Sequence, residues 1–190
     1  MSLSRAHFEQ LYQGDADPWR FTTSDYERRK YAATLAALPE GPILSAFEPG
    51  CSIGVFTAAL APRCDALLAA DIAETPLIQA RARCAEFPHV AIRRLRIPEE
   101  WPDARFDLII LSEILYFLTI PEIRRTARRV TDSLAPGGAL LSVHWTGEND
   151  GACSGDEAVQ IFLAEAGPAL APAIQDRTQD YRLDRLTRQP

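Results

Sequence analysis

The sequence alternates short apolar runs with segments of helical periodicity, and this alternation limits the folds open to the chain. The runs are Ile43–Glu48, Ala66–Asp71, His89–Leu95, Phe106–Leu111 and Ala139–Trp145. A strand that is buried on both faces is apolar throughout, and helices between such strands cover both faces of a parallel sheet. The sequence therefore predicts an open α/β sheet, in which ligands bind at the carboxyl ends of the strands.

Local signals predict where the helices begin. Three capping boxes precede helical segments, and they are Ser24-x-x-Glu27, Thr119-x-x-Glu122 and Ser154-x-x-Glu157. Thr75 and Pro76 resemble an N-cap and a first helical residue. The helix after Ser24 is expected to place three residues on one face, namely Tyr31, Leu35 and Leu38. The tail from Tyr181 to Thr187 alternates imperfectly, which predicts a half-exposed edge strand.

The overall charge disfavours a nucleic-acid partner. The formal net charge is -6 and the pI is about 5.1, whereas binding to phosphates needs a basic face. Two arginine groups, at 93–96 and 124–129, could be solvated faces or a site for a polyanion. We favour solvated faces.

The sequence predicts neither a membrane partner nor a metal site. Residues 1–9 lack the apolar core of a signal peptide. The most apolar stretch, from Phe106 to Leu118, carries two carboxylates and is too short to span a bilayer. The cysteines have no metal-ligand spacing and are expected to be reduced thiols; they are Cys51, Cys64, Cys84 and Cys153. We therefore expect a cytoplasmic protein.

A turn with two glycines follows the first predicted strand. Gly50 and Gly54 permit a sharp turn and the close approach of a ligand. A dinucleotide-binding loop would need a middle glycine, where this chain has Ser52, and Glu48 would repel a pyrophosphate. The carboxylate instead suits the ammonium and sulfonium charges of S-adenosylmethionine. A tight turn without a ligand is the alternative.

Acidic residues follow two other predicted strands. Asp71, about twenty residues after the glycine turn, could accept both hydrogens of a ribose diol or serve as an N-cap. Glu113 after the fourth strand could be an acid or base for an acceptor, or a structural cap. His144 at the tip of the fifth strand could face the same crevice, or be a structural histidine.

These motifs together resemble those of the class I methyltransferases. The residues that carry the resemblance are Glu48-x-Gly50-x-x-x-Gly54, Asp71, Phe106–Ile110 and Leu134-Ala135-Pro136-Gly137-Gly138. A narrower resemblance, to the nodulation protein S family, lies in the short tail and in Asp17-Pro18-Trp19-Arg20 and Glu113-x-Leu115-Tyr116. Members of that family N-methylate a deacetylated chitooligosaccharide.

The resemblance implies a fold and a cofactor. The fold would be Rossmann-like, with seven mostly parallel strands, helices on both faces and an N-terminal helical lid. A single methyltransferase domain would span residues 1–190, with the lid in 1–40 and the core in 41–190. The cofactor would be S-adenosylmethionine, and the product S-adenosylhomocysteine.

The resemblance also assigns residues to the cofactor: Trp19, Arg20, Glu48, Gly50, Gly54, Asp71, Ile72 and Ile97. Glu48 and the glycines would line the methionine end, Asp71 would hold the ribose and Ile72 would flank the adenine. The Ile97 amide would meet the adenine ring, where family members commonly have an aspartate. Trp19 and Arg20 would close over the cofactor, although Trp19 could instead seal the core beneath the first two helices.

The acceptor is expected to be a small amine, of the amino-sugar or oligosaccharide type. Glu113 would be its base, with a pKa raised by partial burial. His144 is the fallback base, and Tyr116 could donate to the acceptor or accept from it. Two alternatives are an O-methyltransferase on a small metabolite and a catalytically silent, methyltransferase-like binding subunit. A nicotinamide-dependent oxidoreductase is disfavoured by the missing middle glycine.

Overall fold

A seven-stranded sheet lies at the centre of the computed structural model, which describes residues 3–190. Residues 1 and 2 of the expected lid are outside the described residues. The strands are β1 (Ala46–Pro49), β2 (Leu67–Asp71), β3 (Val90–Arg94), β4 (Phe106–Ser112), β5 (Leu134–Trp145), β6 (Leu170–Arg177) and β7 (Tyr181–Arg188). Their order is β3-β2-β1-β4-β5-β7-β6.

The first five strands are parallel to one another, and β7 is antiparallel to both β5 and β6. This mixed sheet confirms the predicted Rossmann-like fold. The strand order reverses between β1 and β4, and ligands of open α/β sheets bind at such a reversal.

Helices cover both faces of the sheet. They are α1 (Arg5–Gly14), α2 (Asp25–Ala36), α3 (Val55–Leu60), α4 (Glu74–Arg83), α5 (Ile120–Ser133) and α6 (Gly155–Ala166). Because side chains alternate along a strand, Ile109 and Leu111 of β4 pack on the side of α5 and α6, while Leu108 and Ile110 pack on the side of α3. In the part of the chain that the structure describes, no helix is long and apolar enough to cross a membrane.

Helix α4 is capped by a residue from another helix. It begins at Glu74, with Ala73 as N-cap, so the prediction that Thr75 is the N-cap is wrong. The backbone N–H groups of Glu74 and Thr75 donate to the Glu9 carboxylate of α1 over 2.7 and 3.1 Å. A carboxylate at this position satisfies helix N–H groups that have no partner within the helix. Glu9 therefore connects α1 to the core.

Helix α2 turns charged residues inward. Ser24 is its N-cap, but the Glu27 carboxylate bonds Lys30 rather than completing the capping box, which corrects the prediction. The boxes at Thr119 and Ser154 are confirmed. The buried residues of α2 are Glu27, Lys30 and Thr34, whereas the predicted inward residues Tyr31 and Leu35 are only half-buried.

The tail is not an edge strand, contrary to the prediction. β7 pairs on both sides and is largely buried, while the edge is formed by β6, which the sequence analysis missed. Two charged residues of β7 are buried because they form an ion pair, in which Arg182 Nε lies 2.7 Å from Asp184 Oδ2.

Candidate functional site

A cavity of about 580 Å³ lies at the carboxyl ends of β1, β2 and β4 and is enclosed by α1, α2 and the loop between them. Its walls combine aromatic and ionisable side chains, which include Tyr12, Trp19, Tyr26, Glu27, Lys30, Tyr31, Glu48, Asp71, Glu113 and Tyr116. This is the place that the strand order indicates for a ligand.

The two glycines of the turn after β1 have different roles. Both have positive φ angles, +82° at Gly50 and +76° at Gly54. Gly50 lines the cavity, and a Cβ atom there would collide with Ile114. Gly54 is not among the lining residues; a Cβ atom there would lie 2.9 Å from Ala80, so this glycine permits close packing on α4.

Glu48 places a buried carboxyl group at the floor of the cavity. The residue is 4% exposed, and its Oε2 atom has no hydrogen-bond partner among the described residues. Burial raises the pKa of Glu48 to about 8. A cationic ligand group placed here would stabilise the charged carboxylate.

Asp71 at the end of β2 lies beside the glycine turn. Its Oδ2 accepts a hydrogen bond from the Ser52 N–H, and its Oδ1 accepts one from the Ala73 N–H. The N···O distance is 3.0 Å in both bonds. Burial raises the pKa of Asp71 to about 6, although these hydrogen bonds act in the opposite direction. The Tyr12 hydroxyl of α1 bonds Ser52 Oγ over 2.5 Å, so α1 reaches the same turn.

Ile72 and Ile97, the residues predicted to lie beside the adenine, both line the cavity and are half-buried. Arg96, which directly precedes Ile97, also lines the cavity. Its guanidinium lies 3.3 Å from Glu122 of α5 and 3.6 Å from Glu99, which fixes the charged end of this side chain.

Only one of the two predicted lid residues faces the cavity. Trp19 lines it and packs edge-to-face on Tyr12, with ring centroids 5.6 Å apart, and against Phe21 at 5.7 Å. Arg20 is exposed and is not among the lining residues, because its guanidinium pairs with Asp15 at 2.8 Å.

A buried ion cluster occupies the α2 side of the cavity. Lys30 is 1% exposed, and its Nζ lies 2.9 Å from Glu27 Oε1 and 2.6 Å from Glu113 Oε1. The same ammonium lies 5.0 Å from the ring centroid of Tyr26 and 5.9 Å from that of Tyr31. One buried ammonium thus lies between two carboxylates and two aromatic rings, which favour a cation.

Glu113 is fully engaged within this cluster. Its Oε2 accepts from the Tyr116 hydroxyl over 2.8 Å and from the Trp145 N–H over 2.7 Å, and its Oε1 accepts from Lys30. Burial disfavours the charged form and is the largest single influence, but the Lys30 ammonium and the hydrogen bonds to the carboxylate together outweigh it and lower the pKa of Glu113. The expectation that burial raises this pKa is therefore wrong.

Tyr116, which the sequence analysis assigned to the acceptor side, lines the cavity and is 6% exposed. Burial, and then the neighbouring Glu113 carboxylate, raise the pKa of Tyr116 well above its usual value. Its hydroxyl therefore stays protonated and donates to Glu113.

His144 has a structural environment. It is 0% exposed and is not among the residues that line the cavity. Its Nε2 accepts from the Leu115 N–H over 3.2 Å, and its Nδ1 faces Ser142 Oγ at 3.2 Å. Burial lowers the pKa of His144 to about 4, so the ring is neutral and holds the loop after β4. The prediction that it faces the acceptor is wrong.

The sequence analysis did not assign several residues to this site, among them Tyr12, Tyr26, Glu27, Lys30, Tyr31 and Ser52. One signal was available for the ion cluster, because Lys30 is the only lysine in a sequence with 20 lysines and arginines. Glu27 lies three residues before it, which places both on one helix face. Among residues 3–190, no group of three or more histidine, cysteine or acidic side chains is arranged to hold a metal ion.

Comparisons with known proteins identify relatives. The family model of nodulation protein S (NodS) matches residues 5–164. Nodulation protein S of Rhizobium tropici is 35% identical over 127 residues, which are 66% of this chain and 53% of that protein. The Bradyrhizobium diazoefficiens protein is 34% identical over 66% of this chain and 61% of its own length. The chain thus spans little more than half the length of these two relatives.

Two solved structures resemble the fold. A Pseudomonas syringae protein provisionally assigned as a methyltransferase is 38% identical, with a TM-score of 0.73, and the match covers 86% of this chain and 99% of that one. The N-methyltransferase NodS of Bradyrhizobium japonicum WM9, in complex with S-adenosyl-L-homocysteine, is 24% identical, with a TM-score of 0.84 over 97% of this chain and 98% of that one. Because the family model matches most of the sequence, this chain belongs to the nodulation protein S family.

Proposed function

We propose that the chain is an S-adenosylmethionine-dependent methyltransferase that N-methylates a small acceptor of the amino-sugar or oligosaccharide type. The observation that carries the proposal is the buried Glu48 carboxyl group, whose Oε2 lacks a partner beside the glycine turn. An ammonium is the natural partner for this oxygen because it would stabilise the carboxylate form, which a pyrophosphate would disfavour. Relatives named as nodulation protein S and as an N-methyltransferase support the same activity.

The other lining residues fit the rest of this cofactor. Asp71 lines the cavity and would hold the ribose diol, and Ile72 and Ile97 would offer apolar surfaces to the adenine. Gly50 lines the same cavity, and its missing Cβ atom makes room for the Ile114 side chain, which lines the cavity beside it. When bound, S-adenosylmethionine supplies a methyl group on a positively charged sulfur. The product would be S-adenosylhomocysteine.

The chain's own contribution is position and electrostatics. Trp19, with Tyr12 and Phe21, forms an aromatic wall that would exclude water from the cofactor. The α2 side of the cavity carries two carboxylates and one ammonium and suits a cationic acceptor.

The expected compartment is the cytoplasm, in keeping with cysteines that form no disulfide in the described structure.

Calorimetric titration tests the cofactor assignment. We expect S-adenosylhomocysteine to bind with one-to-one stoichiometry and a nicotinamide dinucleotide to give no heat at the same concentration. Incubation with S-adenosylmethionine should then methylate a glucosamine tetramer at nitrogen. Binding without methylation of any acceptor would indicate a silent binding subunit, methylation at oxygen only would sink the amine assignment, and preference for the dinucleotide would contradict the proposal entirely.

A further inference from the structure

The two carboxylates beside Lys30 differ in what they can still bind. Glu113 uses Oε1 for Lys30 and Oε2 for Tyr116 and Trp145. Glu27 uses Oε1 for Lys30, but its Oε2 has no hydrogen-bond partner among the described residues. Glu27 is 6% exposed and lines the cavity, so this oxygen is removed from solvent. An unpartnered buried carboxylate oxygen is costly and indicates a ligand.

We propose that Glu27 binds the acceptor amine through Oε2 and takes a proton from it, with Lys30 and Glu113 acting as positioning residues. This inference rests on the proposed function and assigns its proton acceptor. It replaces Glu113, which the sequence indicated for that role.

The charges around Glu27 suit this task. The groups that face it are Lys30 on its own helix, Glu113 after β4, and the hydroxyls of Tyr26, Tyr31 and Tyr116. With two carboxylates and one ammonium, the ionised cluster has a net charge of minus one before the acceptor arrives, and an acceptor ammonium would neutralise it. Burial, together with the Glu113 carboxylate, raises the pKa of Glu27 against the opposing effects of Lys30 and the Tyr31 hydroxyl, whereas the pKa of Glu113 is lowered. Glu27 is therefore the more basic of the two carboxylates.

The proton and electron balance is complete with the methyl donor alone. The acceptor ammonium transfers one proton to Glu27 Oε2 and regains its lone pair. That pair forms the new nitrogen–carbon bond while the carbon–sulfur bond breaks, and the bonding electrons pass to the sulfonium, which becomes a neutral thioether. The methylated nitrogen carries the positive charge, and the proton on Glu27 returns to solvent when the product leaves.

The test compares three substitutions of similar charge change: Glu27→Gln, Glu113→Gln, and Asp25→Asn as the control on the exposed face of α2. The substrate is a β-1,4-linked glucosamine tetramer. We expect Glu27→Gln to lower turnover at pH 7 by roughly 10²–10⁴-fold, with S-adenosylhomocysteine affinity within threefold of wild type. Raising the pH should restore part of the lost rate, because solvent then deprotonates the amine. Glu113→Gln should show no such recovery, and Asp25→Asn should match wild type.

A second measurement does not depend on turnover. In the S-adenosylhomocysteine complex, wild type should bind the glucosamine tetramer more tightly than the uncharged N-acetylglucosamine tetramer, and Glu27→Gln should abolish this preference. If Glu27→Gln fails to bind S-adenosylhomocysteine, Glu27→Asp replaces it and should keep the amine preference but lose turnover. Retained turnover in Glu27→Gln, or pH-dependent recovery in Glu113→Gln instead, would overturn the inference alone. Wild type that neither binds the cofactor product nor methylates the amine overturns the proposed function with it.

Discussion

Carboxylates in the cavity have different charge states because their nearest partners differ. Glu48 meets no cation, and its pKa rises to about 8. Asp71 accepts two backbone N–H groups, and its pKa rises only to about 6. Glu113 lies 2.6 Å from Lys30, and its pKa falls. Glu48 and Asp71 are buried and Glu113 is partly buried, so desolvation acts on all three and the local partner decides which group is charged at neutral pH.

Asp71 provides a test of the ribose contact. Asp71→Asn keeps the size of the side chain but removes the charge that strengthens hydrogen bonds from a diol. We expect a loss of about 1–3 kcal/mol, which is roughly a ten- to hundredfold weaker binding of S-adenosylhomocysteine by calorimetry. Asp65→Asn, at an exposed position near the start of β2, is the control. Equal affinities in both variants and wild type would remove Asp71 from the site.

The sequence could locate Glu113, Tyr116 and Asp71, because the residues that follow buried strands can be found from the apolar pattern. It could not give the pKa of Glu113, since Lys30, its decisive partner, is 83 residues away in the chain. It also could not show that His144 points away from the cavity. The orientation of the His144 ring depends on a hydrogen bond from the Leu115 N–H, and Leu115 lies in the loop after β4 rather than on the strand that carries His144.

At the scale of elements, the two N-terminal helices complete the site in different ways. Helix α2 supplies the ion cluster, while α1 is attached to α4 by Glu9 and to the glycine turn by Tyr12. Burial opposes ionisation of Glu9, but hydrogen bonds from Thr75 and Glu74 lower its pKa to about 2. The carboxylate therefore remains charged, and α1 stays attached, throughout the neutral range.

Glu9→Gln should loosen α1 without unfolding the core. Loss of a helix-capping carboxylate typically costs about 1 kcal/mol, so amide hydrogens of α1 should exchange roughly fivefold faster with solvent. The exchange of β4 and β5 amides should stay unchanged, because these strands lie in the centre of the sheet. Glu86→Gln, at an exposed site after α4, makes the same charge change as a control. Unaltered exchange in α1 would show that Glu9 does not hold this helix.

Helix and strand types were predictable where apolar periodicity was strong, as in β4 and α5. β6 was missed because it contains Pro172 and several exposed polar residues, which do not resemble a strand. The inward face of α2 was misassigned because its buried residues are an ion pair and a threonine. Periodicity indicates apolar burial only, so a helix that buries charges for a binding site escapes it.

At the scale of the molecule, the sheet order explains why the cavity lies where it does. The strand order reverses between β1 and β4. Glu48 near the end of β1 and Glu113 just after β4 therefore lie at the carboxyl ends of adjacent strands, whose connecting helices lie on opposite faces of the sheet. The sequence predicted this crevice, because the strand sequence alone indicates parallel pairing. The way in which α1 and α2 enclose this crevice could not be predicted, because both helices attach to it through polar contacts that exist only in the folded core.

Glu48 should also make the stability of the whole chain depend on pH. Its pKa is about 8 in the folded chain but near 4.5 when unfolded, so the folded chain retains a proton that the unfolded chain releases between these values. The free energy of unfolding from this group therefore falls as the pH rises from 4.5 to 8, by at most about 1.4 kcal/mol per pH unit.

Glu48→Gln removes this titration and should become steadily more stable relative to wild type as the pH rises. Urea unfolding at intervals between pH 5 and 8 measures the difference, and other titrating groups cancel because both proteins contain them. Saturating S-adenosylhomocysteine should reduce the pH dependence in wild type, since its ammonium would stabilise the charged carboxylate. A stability difference that stays constant across this range would mean that Glu48 is ionised in the folded chain, and that its Oε2 has a partner other than the proposed cofactor.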